Sequence, residues 1–428
     1  MLKNKVIKNA SWIIASRIVQ ALLALVISML TARYLGPSNY GIINYAASIV
    51  AFVMPLMHLG VNSVLVQELV RNPDDEGRII GTATAMTFLS SLLCIGGTVA
   101  FAAIANPGET ETIVVCALYS ILLIFQSLDM VRYWFQSKYL SKYTSIISLA
   151  AYTVVSIYKI YLLATGKSIY WFVVSNALEY AIISICSIYL YKQKGTQKLG
   201  FSKTIGRRLL STGKYYIISE LMVTVFVQTD RIMLKGMLNS EATGFYSAAV
   251  TCATITQFVF AAILDSSRPA ILESKKKSEE AFERNMKRLY SIVIYFSLAQ
   301  SLAISLFAPL IIHILYGNSY APASTALRIV VWYTTFSYLG AARNIWILAE
   351  GQQKHLLSVN MLGALANVVV NFMLIPVLGI SGAAIASLVT QFFTNFVTGY
   401  IIKPLRSNNK LMVESLNPRY LIELIHQR

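Results

Sequence analysis

The chain has 428 residues, 56% of them hydrophobic and only 13% charged, with a mean hydropathy of +0.60. Soluble globular domains carry about 25% charged residues, so a soluble enzyme or binding module is excluded. The net charge of +17 is split among separate short loops, which excludes a nucleic-acid surface of clustered cations.

Apolar runs of about 20 residues recur along the whole chain, each long enough to cross about 30 Å of hydrocarbon. In the first half they are predicted at 10–32, 40–66, 79–104, 113–136, 143–164 and 169–191. In the second half they are predicted at 209–235, 243–268, 289–315, 324–349, 356–378 and 382–402. The expected fold class is an all-α integral membrane protein with about 12 transmembrane helices in two six-helix bundles. The basic stretch Met1–Asn9 precedes an apolar run too long for a signal-peptide core. The cluster from Lys192 to Arg208 divides a bundle at 1–200 from a bundle at 201–402, and 403–428 follow as a tail. Lys and Arg fall in alternate loops, at Lys3 to Lys8, Arg71 and Arg78, Lys138 and Lys142, Lys192 to Arg208, Lys275 to Arg288, Lys354 and Lys403 onward. The opposite loops hold little more than Arg33 and Lys167, so both termini are expected on the cytoplasmic side.

A short pattern appears once in each half. "LGPSNYGIINYAA" (Leu35 to Ala47) aligns with "LNSEATGFYSAAV" (Leu238 to Val250), matching Leu35 with Leu238, Gly41 with Gly244 and Ala46 with Ala249. Both copies follow an odd-numbered span and open an even-numbered one, as in a parallel duplication, an arrangement suited to alternating access. Gly36, Gly41 and Gly244 are assigned to this elbow, and Gly379 and Gly382 to the turn between the last two spans. Glycine at Gly41 and Gly244 permits close helix approach or an unusual backbone angle.

Charges inside spans cost about 2.5–3.5 kcal/mol each on insertion scales and mark function by default. Arg17, Lys159 and Arg343 lie deep, as do Glu179 and Glu220. Arg132, Lys214, Arg231 and Arg328 stand near span ends, where they either snorkel as anchors or face a cavity. Asp129 and Arg132 share one helix face, while Asp230 and Arg231 are adjacent and do not, so one of that pair points inward. Candidate anion-binding residues are Arg17, Arg343, Lys159, Arg231 and Arg328, with Asn367 on the polar face Asn360, Asn367 and Asn371. That face, with Gln391 and Asn395, lines either a sugar-compatible surface or an interhelical hydrogen-bond seam. Glu179, Glu220 and Asp230 either pair with the cations or carry a coupling proton or Na+. Cys94, Cys116, Cys186 and Cys252 lie inside spans without metal-ligand spacing, and no metal site is expected. From Ser278 to Arg288 the i,i+4 pairs Glu280 with Arg284 and Glu283 with Lys287 suggest a solvated helix, and the tail "NPRYLIELIHQR" suggests an amphipathic one at the membrane surface.

"ARYLGPSNYGIINYAAS", "LIPVLGISGAAIASLV" and the first span "KNASWIIASRIVQALLALVISML" together resemble the polysaccharide-biosynthesis flippases. These are the O-antigen and lipid-linked oligosaccharide translocases of the multidrug/oligosaccharidyl-lipid/polysaccharide exporter superfamily. The resemblance implies two six-helix bundles around a central cavity. It implies transport of undecaprenyl-diphosphate-linked glycan, an O-antigen or capsule repeat unit, from the cytoplasmic to the periplasmic leaflet of a bacterial inner membrane. Its implied partners are that lipid-linked glycan, the bilayer, and the glycan polymerase and ligase that use the product, with no nucleic acid. No cofactor is implied beyond H+ or Na+ coupling. A multidrug antiporter of the same superfamily is the alternative, but its cavity calls for acids where these deep charges lean cationic. Export of the peptidoglycan lipid precursor shares the cationic logic, and that branch carries extra C-terminal helices. A membrane glycosyltransferase or polymerase fits less well, because the extracytoplasmic loops are short and hold no acid–base set, and no P-loop pattern is present.

Overall fold

The computed structural model describes the backbone of residues 2–195 and 197–426, and the side chains of residues 19–195 and 197–422. All regular structure among the described residues is helical, as hydrocarbon demands of a chain that must satisfy its own backbone polar groups. Two compact units divide between Gln228 and Thr229.

The first unit contains α1 (Leu2–His58), α2 (Val61–Arg71), α3 (Glu76–Ala105) and α4 (Thr110–Ser120). It continues with α5 (Leu122–Leu128), α6 (Arg132–Ser137), α7 (Ser141–Ala164), α8 (Ile169–Lys194) and the first part of α9 (Lys203–Met237). The second unit holds the rest of α9, α10 (Ser240–Ala253), α11 (Gln257–Lys277), α12 (Glu279–Tyr316), α13 (Ala323–Val330) and α14 (Tyr333–Ala349). Then come α15 (Leu356–Leu378), α16 (Ile380–Phe392), a π-helical turn Phe393–Val397, α17 (Thr398–Ile401), α18 (Arg406–Glu414) and α19 (Arg419–His426).

Among the described residues, eight helices are long and apolar enough to cross a membrane, or nine when the bent α10–α11 pair is one span. The twelve expected runs all fall in helices, some interrupted, and the smaller number has local causes. The first run and most of the second lie in α1, which is interrupted at Gly36, whose φ of 74° and ψ of 172° are non-helical; the second run continues past the turn at Leu59 and Gly60 into α2, and the two count as one span, Val19–Arg71. The run 324–349 is broken between α13 and α14, and 209–235 lies in α9, which is too polar to qualify on composition.

The two elbow copies are built differently. In the first the chain turns at Gly36, and Pro37 follows with its φ already suited to the start of a helix. In the second, Asn239 takes an extended conformation and its side chain caps α10 by accepting from the Ala242 amide at 2.8 Å. Gly41 and Gly244 lie inside α1 and α10, buried and without positive φ. The unusual angle therefore belongs to Gly36.

Small residues set the helix spacing, as expected where lipid offers no hydrophobic drive between helices. In the first unit a Cβ on Gly60 would stand 2.1 Å from the Gly213 carbonyl oxygen. In the second, a Cβ on Gly382 would stand 2.3 Å from the Leu374 carbonyl oxygen, which holds α16 against α15 after the left-handed Gly379. The basic segment before α9 is seated on α3: the Gly200 amide donates to the Gly77 carbonyl at 3.2 Å, and Gln197 accepts from the Gly77 amide at 2.9 Å.

Candidate functional site

One polar group of residues in each unit bears on function. In the first, the Gly36 break folds the two arms of α1 toward each other, so that Ser28 and Tyr40 hydroxyls meet at 2.8 Å. Between these arms and α4, α7 and α8 lies a cavity of about 190 Å³. Its polar lining is Ser28, Tyr40, Asn44, Tyr119, Lys159 and Asn176, with Tyr152 and Thr31 beside them. The Lys159 ammonium donates to Asn176 Oδ1 at 3.1 Å. Glu179, one turn further along α8, attracts the same ammonium by charge. No acid is among the lining residues. A concave site of hydroxyls and amides around one ammonium suits an anionic, hydroxyl-bearing ligand.

The second unit buries a carboxylate. Asp230 is 5% exposed, and its Oδ1 accepts from Asn371 Nδ2 at 2.7 Å and Asn367 Nδ2 at 3.0 Å. Its Oδ2 accepts from the Tyr246 hydroxyl at 2.5 Å and from the Ser387 hydroxyl, and those two hydroxyls lie 2.7 Å apart. Four elements supply this nest: α9, α10, α15 and α16. Spacing of four residues puts Asn367 and Asn371 on one face of α15, while the tight α15–α16 turn brings Ser387 opposite. Four neutral donors solvate the negative charge in place of water. Asn367 and Asn371 turn their amide nitrogens to the carboxylate, and their Oδ1 atoms are buried with no hydrogen-bond partner. A carboxylate and the unpaired oxygens of the two amides that bind it are the hard-oxygen groups that take H+ or a small cation such as Na+.

The sequence candidates separate on this geometry. Asp230 and Asn367 meet, and Lys159 lines the first-unit cavity beside Glu179. Glu220 stands apart, accepting from Asn62 at 3.2 Å and Ser63 at 3.0 Å. Arg231 Nε donates to Ser247 Oγ at 3.2 Å, and Arg328 is exposed on α13. The side chain of Arg17 lies outside the described residues. Arg343 is 3% exposed and committed to the helix break: it donates to the Thr394 carbonyl at 3.0 Å and Asn395 Oδ1 at 3.2 Å, inside the π turn. A π turn leaves carbonyls that a planar guanidinium can reach, and in this structure Arg343 is engaged there. Asn395 thereby joins a packing seam with Arg343 and Gln391.

Tyr246 and Ser387 were not among the sequence candidates. Tyr246 lies inside the repeated elbow motif and Ser387 inside "GAAIASLV", where each looks like ordinary helix packing.

Comparison with known proteins places this architecture. The family model described as "Polysaccharide biosynthesis protein" matches residues 6–275. The Capsular polysaccharide biosynthesis protein CapF of Staphylococcus aureus is 21% identical over 395 residues, covering 90% of this chain and 96% of the relative. The Putative O-antigen transporter of Shigella flexneri is 20% identical over 397 residues, covering 89% of this chain and 94% of that protein. The solved structure of the Lipid II flippase MurJ in its inward closed conformation superposes with a TM-score of 0.71 at 13% identity, covering 96% of this chain and 92% of MurJ. That likeness shows a shared fold.

Proposed function

We propose, from the premise that this chain belongs to the polysaccharide biosynthesis protein family, that it is a flippase for lipid-linked oligosaccharide. It is a multi-pass membrane protein, and its relatives are named for capsular polysaccharide, O-antigen and lipid II. The cargo in this reading is an undecaprenyl-diphosphate-linked repeat unit, carried by alternating access from the cytoplasmic to the periplasmic leaflet of a bacterial inner membrane, with both termini cytoplasmic. The observation that carries it is the first-unit cavity, where Lys159 stands among hydroxyls and amides with no acid in the lining. A diphosphate needs a cation and a glycan needs hydrogen-bonding groups, whereas an organic cation needs an acid.

The Asp230 nest supplies the coupling. A buried carboxylate flanked by unpaired amide oxygens binds H+ or Na+ from one side and releases it to the other, so transport draws on an ion gradient. No bond of the cargo is broken, and the protein acts as a transporter.

The test is translocation of a lipid-diphosphate-linked glycan across proteoliposomes under an imposed H+ or Na+ gradient. Wild type should transport; Lys159→Gln should lose cargo affinity, and Asp230→Asn should lose the response to the gradient. Efflux of organic cations without glycan movement would overturn the cargo assignment.

A further inference from the structure

Residues 197–202, between α8 and α9, belong to neither polar group, yet hydrogen bonds pin them across the start of α3. Gln197 accepts from the Gly77 amide at 2.9 Å and donates to the Pro73 carbonyl at 3.0 Å, while the Tyr191 hydroxyl donates to the Gln197 carbonyl at 3.0 Å. The Gly200 amide donates to the Gly77 carbonyl at 3.2 Å, and the Ser202 amide to Thr82 Oγ1 at 2.9 Å. The approach is backbone to backbone. A Cβ on Gly77 would stand 2.3 Å from the Lys198 carbonyl oxygen, and one on Gly81 2.3 Å from that of Gly200. Contact this close leaves no room for a side chain between strap and helix, so Leu199 and Phe201 are turned outward, 42% and 65% exposed.

Cations flank these two side chains in the sequence. Lys198 precedes them, and Lys203 and Arg207 follow, four residues apart on one face of α9. All three are exposed and have no acidic partner among the described residues. Neighbouring cations differ: Arg78 pairs with Asp75, Lys138 with Glu76 and Arg208 with Glu68. The strap follows the end of α8 and lies on the start of α3, both long and apolar enough to cross a membrane, so it sits at one face of the bilayer. Apolar side chains fixed outward there reach the acyl boundary, and the cations beside them meet headgroup phosphates.

We propose that the strap and the first two turns of α9 form a binding site for anionic phospholipid. Lys198, Lys203 and Arg207 hold the headgroup, and Leu199 and Phe201 insert beside its acyl chains. Water would leave the apolar pair uncovered, and a zwitterionic headgroup would leave the excess positive charge unmatched; an anionic lipid answers both. The site is separate from the first-unit cavity and does not rest on the transport reading.

The experiment measures the first-lipid dissociation constant by native mass spectrometry. Purified full-length protein is titrated with phosphatidylglycerol or with phosphatidylcholine of the same acyl chains, and wild type should prefer phosphatidylglycerol. A cation near an anionic lipid surface is worth about fivefold in affinity, so Lys198→Gln/Lys203→Gln/Arg207→Gln should weaken phosphatidylglycerol binding about a hundredfold and phosphatidylcholine binding far less. Lys276→Gln/Lys277→Gln/Lys354→Gln, which removes three exposed cations of the second unit, should keep the wild-type preference. Leu199→Ser/Phe201→Ser should weaken both lipids alike. Equal losses in the two cation variants would make the preference a matter of net charge and overturn the proposal, as would unchanged binding in either strap variant. If the triple strap variant does not fold, Lys203→Gln alone decides: a loss of about fivefold supports the site, and none overturns it.

Discussion

Replacing Asp230 separates its structural part from its ionic part. Asp230→Ala removes the acceptor of four donors at once, but they do not all lose their partners. The Tyr246 and Ser387 hydroxyls, 2.7 Å apart, pair with each other. Asn371 Nδ2 keeps the Asn367 carbonyl at 2.9 Å. Only Asn367 Nδ2, 3.0 Å from the carboxylate, is left without an acceptor. A buried orphan donor costs about 1–3 kcal/mol, and loss of charge-assisted hydrogen bonds about 1.5–3 more, so Asp230→Ala should destabilise by roughly 2.5–6 kcal/mol. Asp230→Asn keeps the shape: its oxygen accepts from the two amides and its nitrogen donates to the hydroxyl pair, at a cost of about 1 kcal/mol. Wild type, unlike either variant, should gain about 2.7 kcal/mol at a cation concentration 100 times the dissociation constant. The assay is thermal unfolding in detergent across a cation titration, at pH values bracketing neutrality to include H+. Equal stability of the Ala and Asn variants, or cation-dependent stabilisation of Asp230→Asn, would refute the nest.

The other predictions are local. Arg343→Ala leaves a cavity and an unpaired Asn395 oxygen beside the π turn, so it should cost about 2–4 kcal/mol and reduce monodisperse protein in size-exclusion chromatography; full yield with selective loss of transport would return Arg343 to the cargo site. Gly382→Val forces the Leu374 carbonyl to move and should abolish folded protein, whereas Gly96→Ala, with no heavy atom within 4 Å of its new Cβ, should express normally. In the tail, a 2.5 Å contact from the Lys287 ammonium holds the Glu414 carboxyl below the usual carboxylate range. A depressed folded-state value gives stability that is present above the unfolded value of about 4.3 and lost as pH falls through the folded one. Melting curves of wild type and Glu414→Gln should accordingly differ at neutral pH and converge in acid.

Helix placement was legible because membrane-length apolar runs are set by hydrocarbon thickness, and lipid-facing residues such as Leu93, Ile104 and Val377 need no partner to declare themselves. The breaks were less so. Gly36 and Gly41 are both glycines in one motif, and only the backbone shows that Gly36 turns while Gly41 stays helical. Charge roles were the least legible. Arg343 and Lys159 are alike in the sequence as deep cations, yet one reaches a carbonyl exposed by a π turn and the other a cavity. Which partner a cation meets depends on helix rotation and on turns such as Phe393–Val397, which hydropathy does not encode. The tail likewise packs by named contacts, Tyr290 with Asn408 and Lys287 with Glu414, that an amphipathic pattern does not foretell.

On the proposed reading the two interiors would face different demands. A site that holds a diphosphate would gain from a cation carried on the chain, as Lys159 is, since a departing counter-ion would have to be recaptured in every cycle. A site coupled to a gradient would instead have to alternate between ion-bound and ion-free, as a carboxylate such as Asp230 can with a mobile ion. One elementary charge falling through 100 mV supplies about 2.3 kcal/mol, and each 1.4 kcal/mol is tenfold in a concentration ratio. One ion coupled per turnover would thus sustain only tens-fold accumulation of cargo on the far side, so that removal of the product would have to draw transport further.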